Sequence, residues 1–307
     1  MKRLICLVLL TVLLTGCGAK NTDAKPREEE RLNLGTCLTA EVYEPLVDEF
    51  QERTGIWVEV SHMSARELQT AVREGSCDVA LGLPRLLAEE LGEAMDKVQE
   101  PEEKLAAGCP AGERWIPVSM RRATLIVNPK LVRQNLPDSF QSLTDTMWRG
   151  QTALPDPQNA PWVLPLITGG TQTWLEALLE NQTTLFATGE EAAEAVAEGR
   201  CFLGLVPEEA ALRQAAEGKE LSIFYPKGET RQIVDTAGLS AAGKHKENGQ
   251  LFLRFLLEED TQLWLKGTCF RGSVLETLAE NSEVPVLDTA GEAELLILWT
   301  EKQEAQE

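Results

Sequence analysis

Between Leu32 and Gly82 the chain alternates between two hydrophobic periodicities, and this alternation limits its fold more than any other feature. Leu32-Asn33-Leu34 reads as a short strand, with a turn expected from Gly35 to Thr39. Val42, Tyr43, Leu46, Val47 and Phe50 then share one helical face. Pro45 is expected in that helix's first turn, where a missing N–H costs nothing, and Gly55 is expected to close it. Ile56 to Val60 is a second strand, Ala65 to Arg73 a second helix, and Cys77 to Leu81 a third strand ending at Gly82. Such a series predicts a mainly parallel sheet flanked by crossover helices, an α/β architecture.

A further strand is expected at Arg122 to Val127, closed by Asn128-Pro129, and a second α/β series begins at Thr152-Ala153-Leu154. Thr173 with Glu176, and Thr188 with Glu191, fit capping boxes that open helices. Cys201 to Val206 reads as a buried strand, Glu208 to Glu217 as a helix and Ser222 to Tyr225 as a strand. Ile233 to Leu239 returns toward a helix around Leu251 to Leu257. Two series joined by two chain crossings imply two lobes with a cleft between them.

The N-terminus carries a different signal. Met1-Lys2-Arg3 precedes an apolar run from Leu4 to Leu14, the order of a secretory signal peptide, and the run is shorter than the roughly 20 residues that cross a bilayer. Leu14-Thr15-Gly16-Cys17 resembles the lipobox of bacterial lipoproteins, which implies acylation of Cys17 and cleavage before it. Residues 1–16 are thus expected to be signal peptide. Residues 17–31, polar and bearing Glu28-Glu29-Glu30, are expected to be a lipid-anchored disordered tether.

The 307 residues carry a formal charge of −20, and loss of Lys2 and Arg3 with the signal peptide takes this to about −22. A body this acidic repels nucleic acid and anionic headgroups, so membrane association is expected through the lipid anchor alone. Cys37, Cys77, Cys109, Cys201 and Cys269 contain no Cys-x-x-Cys pair, and their odd number leaves a thiol free unless it pairs with another chain. Cys77 and Cys201 read as buried small hydrophobes.

Catalytic signatures are missing. His62 and His245 fit no zinc-protease spacing and read as surface residues; there is no nucleophile elbow, P-loop or dinucleotide fingerprint. Gly169-Gly170-Thr171 reads as a plain loop. Neither an enzyme nor a cofactor is expected, and an exported hydrolase or a scaffold lipoprotein is the weaker alternative.

The body resembles the type II group of extracellular solute-binding proteins of ABC importers, which includes ferric-iron, sugar-phosphate and phosphonate binders. The resemblance is carried by Tyr43 to Phe50 with Thr54-Gly55-Ile56, Cys77 to Gly82, Leu125 to Lys130, Ser139 to Leu143, Ala153 to Pro157, and Gly249 to Gln262. It implies a two-lobed fold joined by two crossover strands, with 32–121 plus 237–272 as one lobe and 122–236 plus 273–307 as the other. It also implies a monomer that hands a small solute to the permease subunits.

In such folds ligands sit beyond the strand ends, where helix N-termini point outward. That singles out Thr36, Cys37 and Thr39, then Gly82 and Leu83, then Asp156, Gln158 and Asn159, and finally Thr236. Ferric binders of the group use adjacent tyrosines after a second-lobe strand; the matching stretch here, Leu205 to Ala210, has none. The resemblance and these polar groups together favour an anionic solute, such as an organophosphonate or phosphate ester. The alternative is an iron receptor that uses Glu208 or Glu209.

Overall fold

The computed structural model describes residues 27–107, 109, 111–160, 163–164, 172–226, 232–278 and 298–302. The expected signal peptide, Cys17 and the Gly169-Gly170-Thr171 loop lie outside them. The tether is expected to be disordered through Arg31. Instead Glu28–Glu30 form a 3-10 turn and Arg31 begins a strand. Asn248 accounts for this order: its Nδ2 donates to the carbonyls of Glu29 and Arg31 at 3.0 and 2.7 Å.

The first series folds as its periodicities dictate. Strands β1 (Arg31–Thr36), β2 (Trp57–His62) and β3 (Val79–Pro84) are parallel, with β1 in the middle. Helices α1 (Ala40–Thr54) and α2 (Ala65–Glu74) make the crossovers. Gly55 ends α1 in the left-handed conformation, and Ser64 opens α2 through a reciprocal cap with Glu67. Pro45 falls not in the first turn but inside α1. It has no N–H for the Glu41 carbonyl four residues back, which is met instead by the Cys269 thiol at 4.0 Å.

Both β1 and β3 run further than their apolar pattern implies. Gly35 and Thr36 stay paired with Ser61 and His62, while β3 continues past a bulge to pair Leu83 with Thr236 and Pro84 with Asp235. Gly82 makes the bulge at φ 89°, and a Cβ there would lie 2.5 Å from the Leu38 side chain, so the position needs glycine.

Two long strands cross between the halves: β4 (Ile116–Val127) and β9 (Gln232–Leu239), paired antiparallel. β4 begins well before the expected Arg122 because its first half pairs with β9 and its second half with later strands. Those are β7 (Leu203–Pro207) and β8 (Ser222–Phe224); β5 (Thr152–Pro155) and β6 (Thr184–Phe186) continue the sheet beyond β7, parallel to it. The sheet order is β2-β1-β3-β9-β4-β7-β5-β6, with β8 on β4. Further helices are α3 (Arg85–Leu91), α4 (Gln172–Glu180), α5 (Gly189–Ala197), α6 (Glu208–Ala216), α7 (Lys246–Leu257) and α8 (Glu259–Thr268). Thr188 caps α5 as expected, but Thr173 lies within α4 rather than at its cap.

Each half buries both sheet faces, so β3 and β7 are apolar throughout. Leu34, Val79 and Leu81 meet α1 and α7 on one face; Ala80 and Leu83 meet α2 and α3 on the other. In the second half Leu125, Leu154 and Leu205 pack against α4, and Ile126, Ala153 and Val206 against α5 and α6. The change of core falls between Met120 and Ala123 on β4 and between Val234 and Ile233 on β9.

The five described cysteines are free thiols, and Cys77 and Cys201 are buried. No helix among the described residues is long and apolar enough to cross a membrane. His62 is exposed, but the surface position expected for His245 is corrected: its side chain is only 8% exposed and bonds Asp78.

Candidate ligand cleft

A cleft of about 210 Å³ behind the crossing strands is lined by Arg122, Glu208 and Lys266, but the larger opening, of about 670 Å³, lies between the two halves. The N-terminal ends of α1, α2, α5 and α6 all border the larger one, through Thr39 and Ala40, Ser64 and Ala65, Thr188 and Gly189, and Pro207. Arg121 of β4 and Arg271, just beyond α8, form part of its wall.

Of the residues expected at the site, Cys37, Thr39, Gly82 and Asn159 border this cleft. Thr36, Leu83 and Thr236 do not, because the strands carry on through them. All three are buried, the Thr36 hydroxyl donating to Leu81 O at 3.1 Å and the Thr236 hydroxyl to Leu83 O at 3.0 Å. Asp156 and Gln158 shape the neighbouring turn, the Gln158 N–H donating to Asp156 Oδ1 at 2.9 Å. The Cys37 thiol donates to Gly82 O at 3.0 Å, and burial pushes its pKa up to about 12, so it stands as a neutral donor.

Neither glutamate expected for the iron alternative borders the larger cleft. Glu208 accepts the Tyr225 hydroxyl at 2.6 Å, and Glu209 is fully buried. Tyr43 packs against the first core. Among the described residues no three His, Cys, Asp or Glu side chains are grouped to hold a metal ion.

Beneath the cleft lies a buried charged cluster. Asp235 of β9 accepts Arg121 Nε at 2.9 Å and Nη2 at 2.6 Å, Arg271 Nη1 at 2.5 Å and the Ser119 hydroxyl at 3.0 Å. Glu209 is held more loosely: its Oε1 is 3.3 Å from Arg121 Nη1 and 3.6 Å from Arg271 Nη2. Burial raises the Glu209 carboxyl, against the pull of both guanidiniums. Arg121 stays charged, since Asp235 and Glu209 outweigh its burial.

The cleft's remaining charge is mostly negative. Glu41, Glu190, Glu191, Glu194 and Glu217 border it, and the third arginine, Arg213, stands 3.6 Å from Glu190. The Glu41 carboxyl is held below its usual range by its own backbone N–H and by Thr39. Glu41, Glu190 and Glu191 stand in first turns, where acids read as dipole partners, and Glu194 and Glu217 read as solvated helix-surface residues, so none of the five stood out in the sequence. A usable signal was present at Asp235, an acid inside the apolar run Ile233-Val234-Asp235-Thr236.

Two α/β halves, two crossing strands and a polar cleft between them define the bacterial binding proteins of type II fold. The chain belongs to the family described as bacterial extracellular solute-binding protein, which matches residues 38–271. Solved structures similar to it share the fold. Iron-bound HitA from Pseudomonas aeruginosa is 21% identical with a TM-score of 0.77, the match covering 88% of this chain and 98% of that one. AfuA from Actinobacillus pleuropneumoniae, with fructose-6-phosphate bound, is 16% identical with a TM-score of 0.78, over 88% and 98%. The ferric binding protein from Campylobacter jejuni is 16% identical with a TM-score of 0.74, over 88% and 97%. No curated protein matches the chain.

Proposed function

We propose that this protein is a monomeric receptor anchored outside the cytoplasmic membrane through acylated Cys17, and that it delivers to an ABC permease a small polar solute carrying net positive charge. Its role is capture rather than catalysis. The halves move about the crossing strands β4 and β9 and close on the solute.

The charge of the cleft wall carries the choice of solute. The resemblance favours an organophosphonate or phosphate ester, and four helix N-termini together offer about two units of partial positive charge. That charge is already answered: Glu41 stands in the first turn of α1, and Glu190 and Glu191 in the first turn of α5. Glu194 and Glu217 add two more carboxylates, Arg213 faces Glu190, and Arg121 with Arg271 is matched by Asp235 and Glu209. An anion therefore enters against net repulsion among the described residues, and a cation with attraction. The absence of a preassembled carboxylate group among those residues favours an organic cation over a metal ion.

The test is a thermal-shift panel on the mature protein, setting polyamines, quaternary ammonium compounds and basic amino acids against phosphate esters, organophosphonates and citrate. At a hundredfold excess over Kd a true solute stabilises by about 2.7 kcal/mol. It should also reduce the radius of gyration in small-angle scattering. Stabilisation by a phosphate ester and by none of the cations would overturn the charge assignment.

A further inference from the structure

We propose that Glu209 sets the charge specificity of the cleft, its carboxylate occupying from within the protein the place on Arg121 and Arg271 that an anionic group of a solute would otherwise take. This rests on the cleft being the solute site.

Asp235 engages Arg121 through Nε and Nη2 and Arg271 through Nη1. What remains is Arg121 Nη1 with Arg271 Nε and Nη2, on two guanidiniums that both border the cleft. The carboxylate nearest these donors is Glu209, and the fit is poor. One contact is 3.3 Å and the other 3.6 Å, while Glu209 Oε2 and Arg271 Nε are buried with no hydrogen-bond partner.

A buried ion pair adds stability only when its geometry is excellent and its remaining polar atoms are satisfied. This one meets neither condition. Its clear effect is on charge: when Glu209 is ionised beside Arg121 and Arg271, which oppose the effect of its burial, two guanidiniums meet two carboxylates and the wall beneath the cleft is neutral. Without Glu209 the same wall presents an uncompensated positive charge and three guanidinium nitrogens able to donate, the arrangement that recognises phosphoryl and carboxylate oxygens. The local fold places Glu209 for this role. Pro207 caps α6, so Glu209 falls in its first turn and turns inward, while the adjacent Glu208 bonds Tyr225.

The test compares the full mature chain with Glu209→Gln, which keeps volume, and Glu209→Ala, which also vacates the space. Circular dichroism confirms that each is folded. Inorganic phosphate and citrate are titrated calorimetrically at low salt. Both variants should bind at least tenfold more tightly than the native protein, and the gain should vanish when Arg271→Ala is added. Absence of any gain in a folded variant overturns the proposal. Equal phosphate binding by native protein and variants overturns it together with the cationic-solute reading. Measurable native binding that tightens tenfold in the variants supports the role of Glu209 while sinking the cationic-solute reading alone.

Discussion

Arg121 grips Asp235 with both arms of its guanidinium, Nε to Oδ2 at 2.9 Å and Nη2 to Oδ1 at 2.6 Å, and so ties the two crossing strands together where the halves meet. The same carboxylate holds Arg271. Asp235→Asn should therefore leave two buried guanidiniums without their principal counter-charge and lower stability by about 3 kcal/mol or more. Urea unfolding with matched m-values measures this. A loss below about 1 kcal/mol would show that the tie does not stabilise the junction.

Stability should also fall in acid through Asp78. Burial alone would raise this carboxyl, but the N–H groups of His245, Asn33 and Lys244 and the His245 ring together hold it below the ordinary range. A group lowered on folding adds stability above its unfolded value, near pH 4, and withdraws it as pH falls through the folded value. Asp78→Asn should melt well below the native protein at pH 7, and the gap should narrow below about pH 4. A gap independent of pH from 3 to 7 would remove Asp78 from the acid response.

Release from membranes tests the anchor. On the proposed lipid anchoring, Cys17→Ser should move the protein from the membrane fraction to the soluble one, since no helix among the described residues is long and apolar enough to cross a membrane. Retention of the variant on membranes after a carbonate wash would show that the anchor lies elsewhere.

Ferric citrate should leave the protein colourless. The two tyrosines are engaged away from the cleft, Tyr43 against the first core and Tyr225 with Glu208, so no phenolate is placed to give a charge-transfer band. A strong visible band, with one iron per chain retained after desalting, would favour the iron reading over an organic cation.

The alternation of apolar periods from Leu32 to Gly82 determined by itself the order of strands and helices there, and from Thr152 to Val206 it did so except for the three-residue strand Thr184–Phe186, too short to show a period. Those periods record which face of each element is buried, a local property. Strand ends were less legible: Thr36, Leu83 and Thr236 read as loop residues because pairing partners such as Thr236 for Leu83 are distant in the chain. The charge of the cleft was decided by tertiary structure alone. Arg121 lies 114 positions from Asp235 and 88 from Glu209, and Arg271 lies 36 from Asp235. Whether those charges reach a solute or cancel one another depends on which strands cross, and no local pattern encodes that.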